Sequence, residues 1–272
     1  METLIYSFVA HLPLILVALL FIVLVFRWFY LPALRQRTEW YLMATIACAI
    51  FSAVCGPALP LIARLTAIRY DDYIFRIDCF LGYREFWMGL FIFNHPWSVI
   101  VINVAYNLIT SVVLGVFIYY MWNRSLNEMR TFLRTMFLNF VLALLIYSVI
   151  PVCGPRYAFP TFPNLPPMPV VPHLVRINAV PNGIPSVHMS TALLVLWFLR
   201  RSLWGRIVGI MYLLLTIAAT LGGGEHYVFD LICALPYTAL LIYLGSAGPV
   251  TEAFSSPADT KTNSPDFADR LR

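Results

Sequence analysis

Residues 12–31 read LPLILVALLFIVLVFRWFYL, twenty residues in which Arg27 is the single charge. At 1.5 Å per helical residue such a run covers roughly 30 Å, the thickness of a bilayer's hydrocarbon core. It has no basic stretch before it and no small-residue cleavage site after it, so it reads as a retained span rather than a removed signal peptide. Working outward, six further apolar runs follow: Trp40–Leu65, Trp97–Trp122, Phe132–Pro151, Ser186–Leu199, Ile207–Leu221 and Tyr227–Leu244. The 272 residues are 61% hydrophobic and only 11% charged, too little polar surface for an aqueous globule. The expected fold is all-α, a polytopic membrane helical bundle of six to seven transmembrane helices. Pro57 and Pro60 should kink or end the second run early, and the fifth and sixth runs are short.

The net charge of +5 is not a nucleic-acid signal, because the basic residues are scattered, nearly all arginine, and sit beside apolar runs. Arg27, Arg35 and Arg37 flank the first connection, Arg124, Arg130 and Arg134 the third, and Arg200, Arg201 and Arg206 the fifth. That bias places those connections and the carboxyl terminus in the cytoplasm, and the amino terminus with the second, fourth and sixth connections outside. The second connection, 67–95, mixes Asp71, Asp72, Asp78 and Glu85 with Tyr70, Tyr73, Phe80, Tyr83, Phe86 and Trp87, a composition suited to an interfacial helix followed by a re-entrant turn, or to a solvated loop with anchoring aromatics. The fourth, 152–185, carries PNLPPMPVVP and should be extended. Residues 1–246 thus form one membrane domain, and 247–272, rich in Ser, Thr, Asp and Pro, form a disordered cytoplasmic tail. Cys48, Cys55 and Cys233 lie in apolar runs, where burial is the default, while Cys79 and Cys153 both fall outside and could pair.

In the apolar second half, apart from His173, Arg176, the arginines of the fifth connection and the tail, charged and histidine residues fall at three places: Arg156 in CGPRYAFP, His188 in PSVHMS, and Glu225, His226 and Asp230 in GGGEHYVFD. The topology puts all three at the outer end. A charge at membrane depth costs about 2.5–3.5 kcal/mol even on lenient scales, so such residues usually pair or work. His226 and Asp230, four apart, would stack on one helical face, the carboxylate fixing one ring nitrogen and leaving the other free as a nucleophile; a structural hydrogen bond is the alternative. Ser186 is a candidate cap for a helix whose first turn holds His188, beside any anion bound there, a position suited to a general acid. Arg156 could grip two phosphate oxygens or merely snorkel toward headgroups. Gly222–Gly224 could expose amide donors or simply break two spans. Tyr157 and Tyr227 flank the arginine and the histidine, whereas the positions of His11, His95 and His173 along the chain read as interfacial.

The ordered set GPRY, PSVH and HYVFD resembles the type 2 phosphatidic acid phosphatase superfamily over Val149–Asp230. The resemblance implies that Arg156 binds phosphate, that His188 protonates the leaving group, that His226 becomes phosphohistidine, and that Asp230 orients it. It implies no cofactor and no metal. This sequence departs from the family at Val149, where a lysine is usual, at Thr220, where an arginine is usual, and at Val187, where glycine is usual. The HY dipeptide, the following aspartate, and Asp78 with Leu81 and Gly82 are similar to the branch containing inositol phosphorylceramide synthases and related bacterial proteins. The implied protein sits in a bacterial inner membrane. It moves a phosphoryl-linked group from a lipid phosphate or phospholipid donor to water or to a polyol or lipid hydroxyl. Ser186, Gly224, Glu225, Tyr227 and Asp78 are accessory candidates. Two other classes stay open: a non-catalytic lipid transporter or headgroup-binding protein, and a zinc-dependent hydrolase using His188, His226 and Asp230.

Overall fold

The structure is a computed structural model and describes residues 2–247; residues 248–272 of the expected tail lie outside the described residues. Helix α1 (Glu2–Tyr30) is followed by a 3-10 turn at Pro32–Leu34, α2 (Arg35–Cys55) and α3 (Ala58–Leu65). The second apolar run breaks at Gly56 and Pro57, as its prolines predict. Strand β1 (Ile68–Arg69), α4 (Asp71–Leu81) and α5 (Arg84–Phe93) make up the second connection. Then come α6 (Pro96–Asn107), α7 (Ile109–Asn123), α8 (Leu126–Val149), the single turn α9 (Pro155–Ala158), β2 (Val175–Arg176), α10 (Val187–Leu199), α11 (Leu203–Gly222) and α12 (Val228–Ser246).

Among the described residues, five helices or helix pairs are long and apolar enough to cross a membrane: His11–Tyr30, Pro32–Leu65, Leu126–Val149, Leu203–Gly222 and Val228–Ser246. Two shorter apolar helices, Ile109–Asn123 and Val187–Leu199, pack with them. The bundle core joins Leu24, Tyr41, Phe117, Phe132, Leu194 and Leu241. Leu14, Phe26, Val54 and Trp204 are instead exposed, as side chains facing hydrocarbon should be. The sixth run proves longer than its hydropathy suggested. Arg206 interrupts the apolar pattern, but the helix has already begun at Leu203, where the Ser202 hydroxyl caps it by accepting the Gly205 N–H at 3.0 Å.

The second connection is helical throughout most of its length. Gly82 (φ +86°) and Tyr83 (φ +51°) take successive left-handed conformations that end α4 and start α5. Helices α5 and α6 then meet at a bend of 120° around Asn94 and His95, the geometry of a broken span or a re-entrant segment. Phe75, Phe86 and Phe159 pack their rings at centroid separations of 4.6–6.0 Å, gathering α4, α5 and the fourth connection into a second apolar core that includes Val152, Ile184 and Tyr227. The fourth connection is mostly irregular, as its prolines require, but it also contributes β2, which pairs antiparallel with β1. That strand pair was not anticipated.

The basic connections collect at one end of the bundle. Arg37 donates to the Arg124 carbonyl at 2.8 Å, and Arg201 pairs with Glu128, so the first, third and fifth connections touch. All five cysteines are free, Cys79 and Cys153 included, and of the three in apolar runs Cys48 is exposed on α2 while Cys55 and Cys233 are half-buried rather than buried.

Candidate active site

The turn between α11 and α12 holds His226. A single carbonyl, that of Thr220 in the last turn of α11, accepts the N–H groups of Glu225 (3.0 Å) and His226 (3.2 Å), which folds the turn back over the helix end. His226 is fully buried. It lies just before α12 rather than within it, so its relation to Asp230 is that of a helix entry and not of two stacked positions on one face. Asp230 Oδ2 accepts the Tyr227 N–H at 2.9 Å and stands 3.4 Å from His226 Nδ1, at the long limit of a hydrogen bond. Such contacts often tighten only when substrate is bound. His226 Nε2 is enclosed and has no hydrogen-bond partner.

The His188 ring faces His226 at a centroid separation of 5.8 Å. Its helix begins as the sequence suggested: Ser186 caps α10 by accepting the Met189 N–H at 3.2 Å, leaving His188 in the first turn. Tyr106, from α6, stacks on His188 at 4.0 Å. Nothing in its apolar surroundings marked Tyr106 as part of this site; the 120° bend brings it there. Its hydroxyl is directed to Glu225 and Asn182.

Arg156 enters from the fourth connection. Its N–H donates to the Gly224 carbonyl at 2.9 Å, and its guanidinium lies 3.4 Å from Glu225 Oε1. The arginine side chain is 54% exposed and the glutamate 13%, so one end of this pair reaches solvent and the other does not. Tyr157 donates to Glu225 Oε2 at 3.0 Å, and burial and the neighbouring carboxylate push its hydroxyl up to about 12, so it remains a donor. The contact between the two loops depends on glycine: a Cβ on Gly154, which has φ +130°, would lie 2.3 Å from the Glu225 carbonyl. The run 222–224 does not present free amides to an anion. Gly223 and Gly224 donate to the carbonyls of Ala219 and Leu221, and Gly224 (φ +70°) serves close packing against Phe162 and Arg156.

Helix α4 supports this site from beneath. Asp71 accepts the N–H groups of Cys153 (3.1 Å) and Gly154 (2.8 Å) and the hydroxyl of Tyr227 (3.1 Å), so one carboxylate joins the loop before Arg156 to the residue after His226. Tyr227 is therefore fully buried and not an interfacial tyrosine. Two turns later Asp78 accepts the Val228 and Phe229 N–H groups and caps α12. Burial pushes the Asp71 carboxyl up to about 6 against the pull of its three donors, and burial also raises Asp78. The sequence marks Asp78 as an accessory candidate, whereas Asp71 stands only within an acidic and aromatic segment suited to the headgroup region. His173 has a partner, Asp72 at 2.8 Å.

The arginines of the second connection do not supplement Arg156. Arg69 is fully buried and donates to Cys153 Sγ (3.1 Å) and to the Ala179 carbonyl (2.8 Å), tying β1 to the fourth connection. Arg76 and Arg84 are exposed on α4 and α5. Where the superfamily's usual cations would stand, Val149 is exposed at the end of α8 and the Thr220 hydroxyl is spent on the Thr216 carbonyl. Among the described residues, no three His, Cys, Asp or Glu side chains converge as a metal-ligand set.

No curated protein and no solved structure matches the chain. A family model described as the PAP2 superfamily matches residues 72–244, from the acidic start of α4 to the end of α12. That span holds His188, His226, Asp230, Arg156 and Asp78, and the chain belongs to the PAP2 superfamily, that of the type 2 phosphatidic acid phosphatases.

Proposed function

We propose that this membrane protein cleaves a phosphorus–oxygen bond of a lipid phosphate or phospholipid through a phosphohistidine at His226. The observation that carries this reading is the state of the His226 ring: Nδ1 faces Asp230, Nε2 is enclosed and unbonded, and the His188 ring lies at a centroid separation of 5.8 Å. Membership of the superfamily supports phosphatase or phosphotransferase chemistry on lipids.

In this reading Asp230 holds the proton on Nδ1, so that the Nε2 lone pair attacks phosphorus. Arg156 binds the non-bridging oxygens and neutralises charge that grows at pentacoordinate phosphorus. As the bond from Nε2 to phosphorus forms, the bond to the leaving oxygen breaks, and that oxygen takes a proton from His188. In the second half-reaction His188 removes a proton from water or an acceptor hydroxyl, which attacks phosphorus and releases His226. One intermediate thus serves both hydrolysis and transfer. The burial of Asp78 against the start of α12 supports the likeness to the inositol phosphorylceramide synthase branch, since it gives that aspartate a place beside the nucleophile. The gathering of the basic connections at the opposite end of the bundle supports an extracytoplasmic site and a cytoplasmic carboxyl terminus.

The test is to incubate the full chain in detergent with labelled lipid phosphates and phospholipids, with and without hydroxyl acceptors, and to identify products. Turnover should vanish in His226→Ala, and quenched wild-type enzyme should carry label on His226. Full activity in that variant would end the proposal.

A further inference from the structure

A carboxylate beside a phosphate-binding arginine opposes the binding of any anion, so Glu225 asks for a physical reason. It precedes His226, stands 3.4 Å from the Arg156 guanidinium, and is held from the other side by the Tyr157 hydroxyl at 3.0 Å. Only 13% of its side chain is exposed, so solvent screens it weakly. Its fixed negative charge cancels the fixed positive charge of Arg156. The positions that could add cations hold Val149 and Thr220, and the buried Arg69 is committed to Cys153 and Ala179.

Repulsion between Glu225 and a bound phosphate grows in proportion to the charge on the phosphate. A phosphomonoester carries about −1.5 to −2 near neutral pH, whereas a phosphodiester carries a single charge. We propose that Glu225 is a specificity-determining residue, which offsets Arg156 so that the site selects the singly charged phosphodiester of a phospholipid over the doubly charged phosphomonoester of the same lipid. The inference rests on the phosphohistidine reading above. The step itself is unchanged: the bond from His226 Nε2 to phosphorus forms, one phosphorus–oxygen bond of the diester breaks, and His188 supplies the proton to the departing alcohol.

The experiment measures kcat/KM of the full chain in mixed micelles on two sets of donors with the same acyl chains, a panel of phospholipid diesters and phosphatidic acid. Wild type should prefer a diester. Glu225→Gln keeps an acceptor for Tyr157 but removes the charge, and should move the ratio toward the monoester by about tenfold or more; Glu225→Asp, which keeps the charge, should retain the wild-type preference. A ratio in Glu225→Gln within about twofold of wild type, or a wild type that prefers the monoester, overturns the inference while leaving phosphohistidine chemistry standing. Inhibition of wild type by a monoalkyl and a dialkyl phosphate of equal chain length reads the same preference without any substitution; tighter inhibition by the monoalkyl compound overturns it. Absence of turnover on every donor overturns the underlying reading, and this inference with it.

Discussion

The Asp78 carboxylate accepts the Val228 N–H at 2.6 Å across 150 residues of sequence, and its other oxygen takes the Phe229 N–H at 3.0 Å. The first amides of a helix have no partner within it, and here a helix from the second connection supplies one two residues after His226. Asp78→Ala leaves two half-buried donors without an acceptor. It should cost about 2–4 kcal/mol of stability and lower kcat more than it raises KM, since what moves is the imidazole and not the lipid surface. Asp78→Asn, which keeps one acceptor, should recover part of both. Thermal unfolding with steady-state kinetics on the two variants checks this, and equal kcat in wild type and Asp78→Ala would refute it.

Asp71 gives the fold a pH dependence of definite sign. Its carboxyl titrates at about 6 in the folded protein against 3.8 for the free group. The stability it contributes is therefore fully present below about pH 4 and is lost as pH rises through about 6, a change of up to about 3 kcal/mol. Asp71→Asn, which cannot ionise, should gain on wild type by about that amount between pH 4 and pH 7. Melting temperatures of both proteins across that range decide the matter, and a difference that stays constant with pH would contradict it.

In the proposed mechanism Asp230 acts on His226 through Nδ1, which stands 3.4 Å from its carboxylate. Asp230→Asn keeps an acceptor for the Tyr227 N–H but offers the ring an amide in place of a charge, and should lower kcat by roughly 10²–10⁴ with little change in KM. A kcat within about threefold of wild type would remove Asp230 from the mechanism.

Gly154 allows the arginine loop to touch the histidine loop. Gly154→Ala places a methyl group within 2.3 Å of the Glu225 carbonyl at φ +130°, so the loops must part. The expected cost is about 1–3 kcal/mol, with a larger fall in kcat/KM, because Arg156 is carried away from His226. A variant with wild-type kcat/KM would show that the contact is incidental.

What the sequence disclosed follows from which forces act locally. Apolar runs must cross a bilayer whatever their neighbours do, so most of the spans were legible, and with them the placement of Arg156, His188 and His226 at the ends of apolar runs. So was the start of α10, because a serine cap is a contact within a few residues. The roles of Asp71, Asp78 and Tyr106 were not, since each is defined by a partner 50 or more residues away and by the turns at Gly82 and Asn94 that bring it there. Arg69 shows the same limit from the other side. Nothing in the sequence says whether its charge is free, and only the tertiary structure reveals that its donors are taken.

From Gly223 to Asp230 every backbone N–H has an acceptor: Ala219, Leu221, Thr220 twice, the Asp230 carboxylate, the Asp78 carboxylate twice and the Tyr227 carbonyl. A stretch that begins in an irregular turn should therefore exchange its amide hydrogens as slowly as the helices on either side. A chain with no spare donors also has few ways to relax. When charge shifts between phosphorus and the imidazole, the surrounding dipoles are already set, and little reorganisation energy is added to the barrier.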